Sequence, residues 1–226
     1  MSRYATHLQS VTSSEVAIPP LGLAGTLNVP KATPGLVVFA HGSGSSRFSP
    51  RNIAVAQALN SRGFATLLFD LLTPQEEADR ANVFDISLLA ERLVDVVGWL
   101  DGQGGSIAGL PIGLFGASTG GAAALVAAAR LPKRIRAVVS RGGRPDLAGD
   151  ALPMVHAPTL LIVGGADYRV IELNKEALRH LRAPNALEIV PGATHLFPEP
   201  GAMDAVIERA ARWFERHLVQ SRDARR

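Results

Sequence analysis

An open, mostly parallel β-sheet with helices on both faces, an α/β architecture, is the fold class this sequence predicts. Three observations carry it. Short unbroken apolar runs recur along the chain, segments of helical periodicity follow most of them, and no repeat, low-complexity stretch or interdomain linker interrupts the alternation. Unbroken apolar runs mark strands covered on both faces, as strands of a parallel sheet are when crossover helices pack on each side. The length of 226 residues suits one domain with a substantial core, expected to span 1–226. Residues 219–226, ending in Arg225 and Arg226, are expected to form a solvated basic tail.

Residues 14–29 alternate apolar and polar around Pro19 and Pro20, as two antiparallel edge strands joined by a turn would. Residues 35–40, "GLVVFA", are the first buried strand. Ser49 and Pro50 then have the character of an N-cap and first helical residue, with Ile53, Ala56 and Leu59 on one face. "FATLLFDL" (64–71) is the next strand, and a helix over about 85–100 places Leu89, Leu93, Val96, Val97 and Leu100 inward. Strands at "IGLFGA", "IRAVVSRG", "PTLLIVGG" and "ALEIVPG" follow, with helices over 119–131, near 171–182 and over 202–218. The longest irregular stretches, 71–84 and 142–157, are too short for a separate lid domain, so an open, lidless site is expected. In such sheets ligands bind beyond the carboxyl ends of the strands.

Composition narrows the function classes. The chain is 47% hydrophobic and 19% charged, ordinary for a soluble fold. Its net charge is only +3 and the positives form no nucleic-acid patch. There is no cysteine, which excludes disulfides, thiolate zinc sites and a cysteine nucleophile. Neither a signal-peptide core nor a membrane-spanning apolar run is evident, and a cytoplasmic protein with no membrane partner is expected. A homo-oligomer is compatible with the sequence.

Gly116-Ala117-Ser118-Thr119-Gly120 is a G-x-S-x-G motif between an apolar strand and an alanine-rich helix, the context that gives the motif meaning. A turn this sharp strains the serine backbone and needs glycines on both sides to avoid collisions. It presents the hydroxyl at the sheet edge, ahead of a helix N-terminus that favours developing negative charge. A serine is a weak nucleophile near neutral pH and needs a base within reach, oriented in turn by a carboxylate. His195 follows the last strand. Asp167 follows the strand before it, with Asp146 and Asp150 as rival acids and Asp70 as an alternative loop or cap carboxylate. The order Ser118, Asp167, His195 matches one of the known serine-triad arrangements and differs from the others.

Charge developing on a carbonyl oxygen also needs preorganised donors. His41-Gly42-Ser43-Gly44 follows the first parallel strand, so the amides of Ser43 and Thr119 are the candidate oxyanion donors, while His41 is expected to brace the loop. Arg47, Arg141 and Arg144 follow strand ends and are candidates to grip a substrate carboxylate, with pairing to Asp146, Asp150 or helix ends as the alternative. Tyr168 and Phe197 adjoin the candidate triad and are candidate apolar wall residues.

Taken with these motifs, "HGSGSSRFSPRN", "FDLLTPQEE", "GASTGGAAA", "SRGGRPDLAG", "GGAD" and "PGATHLF" make the sequence similar to α/β-hydrolases of the dienelactone hydrolase-like group over essentially the whole chain. More narrowly, it resembles hydrolase-like proteins that also occur fused to phosphoribosyltransferase domains. Dienelactone hydrolase itself uses a cysteine nucleophile, whereas this chain has Ser118. The resemblance therefore implies carboxylesterase chemistry on a small ester, thioester or lactone, through an acyl-serine intermediate, with no cofactor and no metal. Rival functions are a non-catalytic protein on the same fold, or cofactor-free haloperoxidase or perhydrolase activity. A dinucleotide-binding oxidoreductase is disfavoured: Arg47 stands where the glycine fingerprint requires its third glycine.

Overall fold

The computed structural model describes residues 10–219. Within them, eight strands form one sheet in the order β1-β2-β4-β3-β5-β6-β7-β8. In chain order the strands are β1 (Val11–Ile18), β2 (Leu23–Pro30), β3 (Leu36–Ala40), β4 (Ala65–Phe69), β5 (Ile112–Ala117), β6 (Ile135–Arg141), β7 (Thr159–Gly164) and β8 (Asn185–Val190). Strands β3 to β8 pair in parallel, and β2 alone runs against them, antiparallel to both β1 and β4. The expected hairpin is thus the edge of the sheet, with β1 largely exposed. The part of the expected basic tail beyond Val219 lies outside the described residues, as does the N-terminal stretch 1–9.

The helices are α1 (Pro50–Ser61), α2 (Pro74–Glu77), α3 (Arg80–Phe84), α4 (Ile86–Asp101), α5 (Thr119–Arg130), α6 (Tyr168–His180) and α7 (Ala202–Leu218). They cover both faces of the sheet. On one face α4 and α5 bury Leu93, Val96 and Leu125 against Val38, Leu67 and Leu114. On the other, α1 and α7 bury Leu59, Val206 and Phe214 against Phe39, Phe115 and Val139. Alternate residues of β3 and β5 thus serve opposite cores, which is why their apolar runs are unbroken.

Two stretches expected to be irregular contain helix. Residues 71–84 hold α2 and α3, started by a capping box between Thr73 and Glu76 and by the Asp79 side chain accepting from the Ala81 amide. Pro145–Met154 is largely 3-10 helix, broken at Gly149, where φ is 48°. Helix α6 begins at Tyr168, three residues before its predicted start, because Asp167 occupies its N-cap position. Among the described residues there is no large lid; the short α2 and α3 only flank the carboxyl edge of the sheet.

Candidate functional site

At the carboxyl ends of β3, β5, β6 and β8 the chain lines a cleft of about 220 Å³. Ser118 stands between β5 and α5 with φ 52° and ψ −122°, a left-handed conformation rare outside glycine. The surrounding backbone fixes it. Its amide donates to the Arg141 carbonyl at 3.2 Å, and its carbonyl accepts from the Arg144 amide at 3.1 Å and the Gly121 amide at 3.0 Å. Two residues to either side, only glycine fits. A Cβ on Gly116 would lie 2.4 Å from the Gly120 carbonyl oxygen, and one on Gly120 would lie 2.2 Å from the Ala40 carbonyl oxygen.

His195 enters from the loop after β8. This loop passes so close to the end of β7 that a Cβ on Gly164 would sit 2.4 Å from the Ala193 carbonyl oxygen. The His195 Nδ1 is 2.6 Å from Asp167 Oδ2. Asp167 is at the N-cap position of α6 but makes no side-chain cap bond, leaving its carboxylate for the imidazole. The side chain of Asp167 is 16% exposed and that of His195 is 40% exposed, so the acid sits behind the base. Ser118 and His195 line the same cleft. Among the described residues no hydrogen bond joins them, and such contacts commonly tighten only around substrate.

The rival acids are engaged elsewhere. Asp146 forms a two-pronged pair with Arg144 at 2.9 and 2.7 Å, and it lines a separate surface hollow with Asp150. Asp70 pairs with Arg47. Geometry therefore brings together Ser118, His195 and Asp167 from the sequence candidates, with Ser43 and Thr119 alongside.

Ser43 lines the cleft, and its loop is pressed against Ser118: a Cβ on Gly42 would lie 3.0 Å from the Ser118 Cβ. The Ser43 amide donates to the Thr119 hydroxyl at 2.9 Å. Thr119 opens α5, where backbone amides have no intrahelical acceptor. His41 is a brace: its Nδ1 donates to the Gly42 carbonyl at 3.0 Å while its Nε2 accepts from the Leu71 amide at 3.1 Å. Burial pushes its pKa below the usual histidine value, which keeps the ring neutral and suits this pattern.

The candidate substrate-contacting residues separate. Arg141, only 5% exposed, lines the cleft and reaches Asn52 Oδ1 with Nη2 at 3.2 Å. Burial chiefly, and the neighbouring charge of Arg51 secondarily, lower its pKa to about 10, which leaves it protonated at neutral pH. Arg47 turns away. It pairs with Asp70 and Glu15 and lies over the Phe48 ring, so it ties the loop after β3 to the end of β4 instead of lining the cleft. Phe197 is not a wall residue but a core residue, with the Arg141 guanidinium 6.0 Å from its ring centroid. Tyr168 is 76% exposed and does not line the cleft. Pattern reasoning missed Arg51 and Asn52, which do line it. The Ser49-Pro50 helix start was the available signal, because a helix after a parallel strand begins at the edge where the ligand sits.

A doubly covered, mostly parallel sheet carrying a strained serine turn and a histidine-carboxylate pair on its carboxyl edge defines a hydrolase of the α/β type. The profile of the dienelactone hydrolase family matches residues 23–220, and the chain belongs to that family. The crystal structure of dienelactone hydrolase from Anabaena variabilis is similar at 52% identity and a TM-score of 0.88, covering 94% of this chain and 100% of that one. Est1E from Butyrivibrio proteoclasticus, in its ferulic-acid-bound structure, shares the fold at 18% identity with a TM-score of 0.76, over 92% of this chain and 100% of its own. Two Mycobacterium tuberculosis proteins provisionally named phosphoribosyl transferases are 61% identical over 204 residues, 90% of this chain. The chain spans about half the length of these curated relatives, 46% of each. Among the described residues no helix is long and apolar enough to cross a membrane.

Proposed function

We propose that this protein is a serine hydrolase of small carboxylic esters, thioesters or lactones. The observation that carries the reading is the 2.6 Å contact of His195 with Asp167 in a cleft shared with Ser118, whose backbone is held in a strained conformation. His195, oriented by Asp167, takes the Ser118 proton as Oγ attacks the acyl carbon. The amides of Ser43 and Thr119 receive the oxyanion. For Ser43 this means releasing the Thr119 hydroxyl. His195 then gives its proton to the leaving alcohol or thiol, and deprotonates the water that frees the acid from Ser118. A cleft of about 220 Å³ without a large lid favours short acyl groups. The similarity to the Anabaena protein, named a dienelactone hydrolase, supports including lactones.

A chain-length series of p-nitrophenyl esters, assayed on the wild type and Ser118→Ala with fluorophosphonate labelling alongside, tests this reading. Turnover and labelling by the wild type, both lost in the variant, are expected. Undiminished turnover by Ser118→Ala would overturn it.

A further inference from the structure

The cleft beside Ser118 holds more positive charge than its surroundings balance. Arg141 and Arg51 both line it, and none of its lining residues is acidic. Arg141 is 95% buried by its 5% exposure, yet its Nε has no hydrogen-bond partner, and Asn52 Oδ1 is the acceptor its guanidinium finds. Arg51 Nε is likewise buried and unpartnered, and neither arginine has a salt bridge among the described residues. Arg47 and Arg92 also have a buried, unpartnered Nε, but they, like Arg62, Arg134 and Arg144, each meet a carboxylate, which Arg51 and Arg141 do not. A buried guanidinium without a counterion is costly, and a partner brought by the ligand removes that cost.

The same wall carries a helix start. Arg51 and Asn52 are the second and third residues of α1, whose N-cap Ser49 makes no side-chain cap bond. The Ile53 amide is satisfied by the Ser49 carbonyl, which leaves the first-turn amides before it without an intrahelical acceptor. Ser45 and Ser49 add hydroxyls to the lining. Two cations, a helix N-terminus and hydroxyl donors suit an oxyanion with several acceptor oxygens and more than one negative charge.

We infer that the natural substrate carries a phosphate monoester, bound as a dianion between Arg51, Arg141 and the start of α1, next to the acyl group presented to Ser118. This rests on the hydrolase reading above for the acyl half of the substrate. The phosphate half does not need it: no bond to phosphorus is made or broken, and the group serves as a handle that fixes the carbonyl over the nucleophile. A planar carboxylate would use fewer of these donors and balance one guanidinium of the two.

Binding of inorganic phosphate to Ser118→Ala, followed by calorimetry and thermal shift at constant ionic strength with acetate and succinate in parallel, tests the inference without any turnover. Phosphate is expected to bind more tightly than either carboxylate, and Arg51→Met to weaken it by about tenfold or more, the scale of a charged hydrogen bond. Arg51 lies on the first turn of a surface helix, so its variant remains informative even if Arg141→Gln does not fold. In the wild type, phosphate is expected to raise KM for p-nitrophenyl acetate with kcat unchanged. Absence of phosphate binding, equal or tighter binding of the carboxylates, or unchanged phosphate affinity in Arg51→Met would each overturn the inference. Loss of turnover alone, with phosphate binding intact, would count against the hydrolase reading and leave the anion site standing.

Discussion

Replacing Asp167 by asparagine keeps the shape of the site and removes one charge. The contact of its carboxylate with His195 Nδ1 is 2.6 Å. At an effective dielectric near 20, a carboxylate at that separation attracts the imidazolium formed when His195 takes the proton in the proposed mechanism by about 6 kcal/mol. The His195 side chain is 40% exposed, so solvent screening reduces the value to about 3 kcal/mol, or roughly 10²-fold in rate. A second penalty adds to it. An asparagine that turns its amide toward Nδ1 selects the tautomer with the proton on Nε2, where the base needs its lone pair; in the protease form of the triad this replacement costs about 10⁴-fold. Asp167→Asn is therefore expected to lower kcat/KM for p-nitrophenyl acetate by about 10²- to 10⁴-fold, mainly through kcat. Because the exchange is isosteric and Asp167 makes no cap bond to α6, the melting temperature should change little. A variant that keeps activity within tenfold of wild type, with an intact fold by circular dichroism, would refute the assignment of Asp167 as the orienting acid.

Gly120→Ala places a methyl 2.2 Å from one backbone carbonyl oxygen and 2.6 Å from the next, so a loss of about 3 kcal/mol or more in chemical denaturation, or failure to fold, is expected. Leu93→Ala, at a fully buried position of α4, should cost about 2–5 kcal/mol without altering KM of the remaining folded enzyme. His41 has a folded-state pKa below its ordinary value of 6.5, despite opposing pulls from Asp70 and Glu77, so the unfolded chain binds the extra proton. Its contribution to stability is complete above about pH 6.5 and is lost as the pH falls through the lower folded value; the melting temperature should drop more steeply on acidification in wild type than in His41→Gln. His217 shifts in the same direction and contributes equally to both proteins in that comparison. Arg47→Gln, which breaks the tie to Asp70, is expected to lower the melting temperature modestly and to leave KM for short esters within about twofold.

Local pattern made much of the site legible because its parts sit at chain positions with local signatures. Ser118 announces itself through flanking glycines between an apolar run and an alanine run, and Asp167 and His195 each follow a strand. The adjacency of Arg51, Asn52 and Arg141 had no such signature. Asn52 and Arg141 are 89 positions apart, and the start of α1 meets the end of β6 only through the sheet order, in which β5 lies between β3 and β6. Arg47 misleads for the same reason: its position after a strand is that of a binding residue, but its partner Asp70 comes from the neighbouring strand end. The short α2 does have a local signature, because Thr73-Pro74-Gln75-Glu76 is a capping-box sequence. Phe197, at φ 56°, turns into the core because the chain must reverse between the His195 loop and α7, a backbone event that composition does not encode.

The order in which the chain supplies the cleft has a consequence for its birth. Ser43 comes with the first parallel strand, Ser118 with the middle of the sheet, and His195 only after β8, the edge strand added last. A polypeptide emerging from the ribosome therefore exposes Ser118 before His195 has been made. Parallel pairings of high sequence separation form slowly, so refolding should restore helix signal before it restores turnover. On the proposed mechanism, a nascent or shortened chain ending before the β8 loop lacks His195 and with it the base that would activate Ser118.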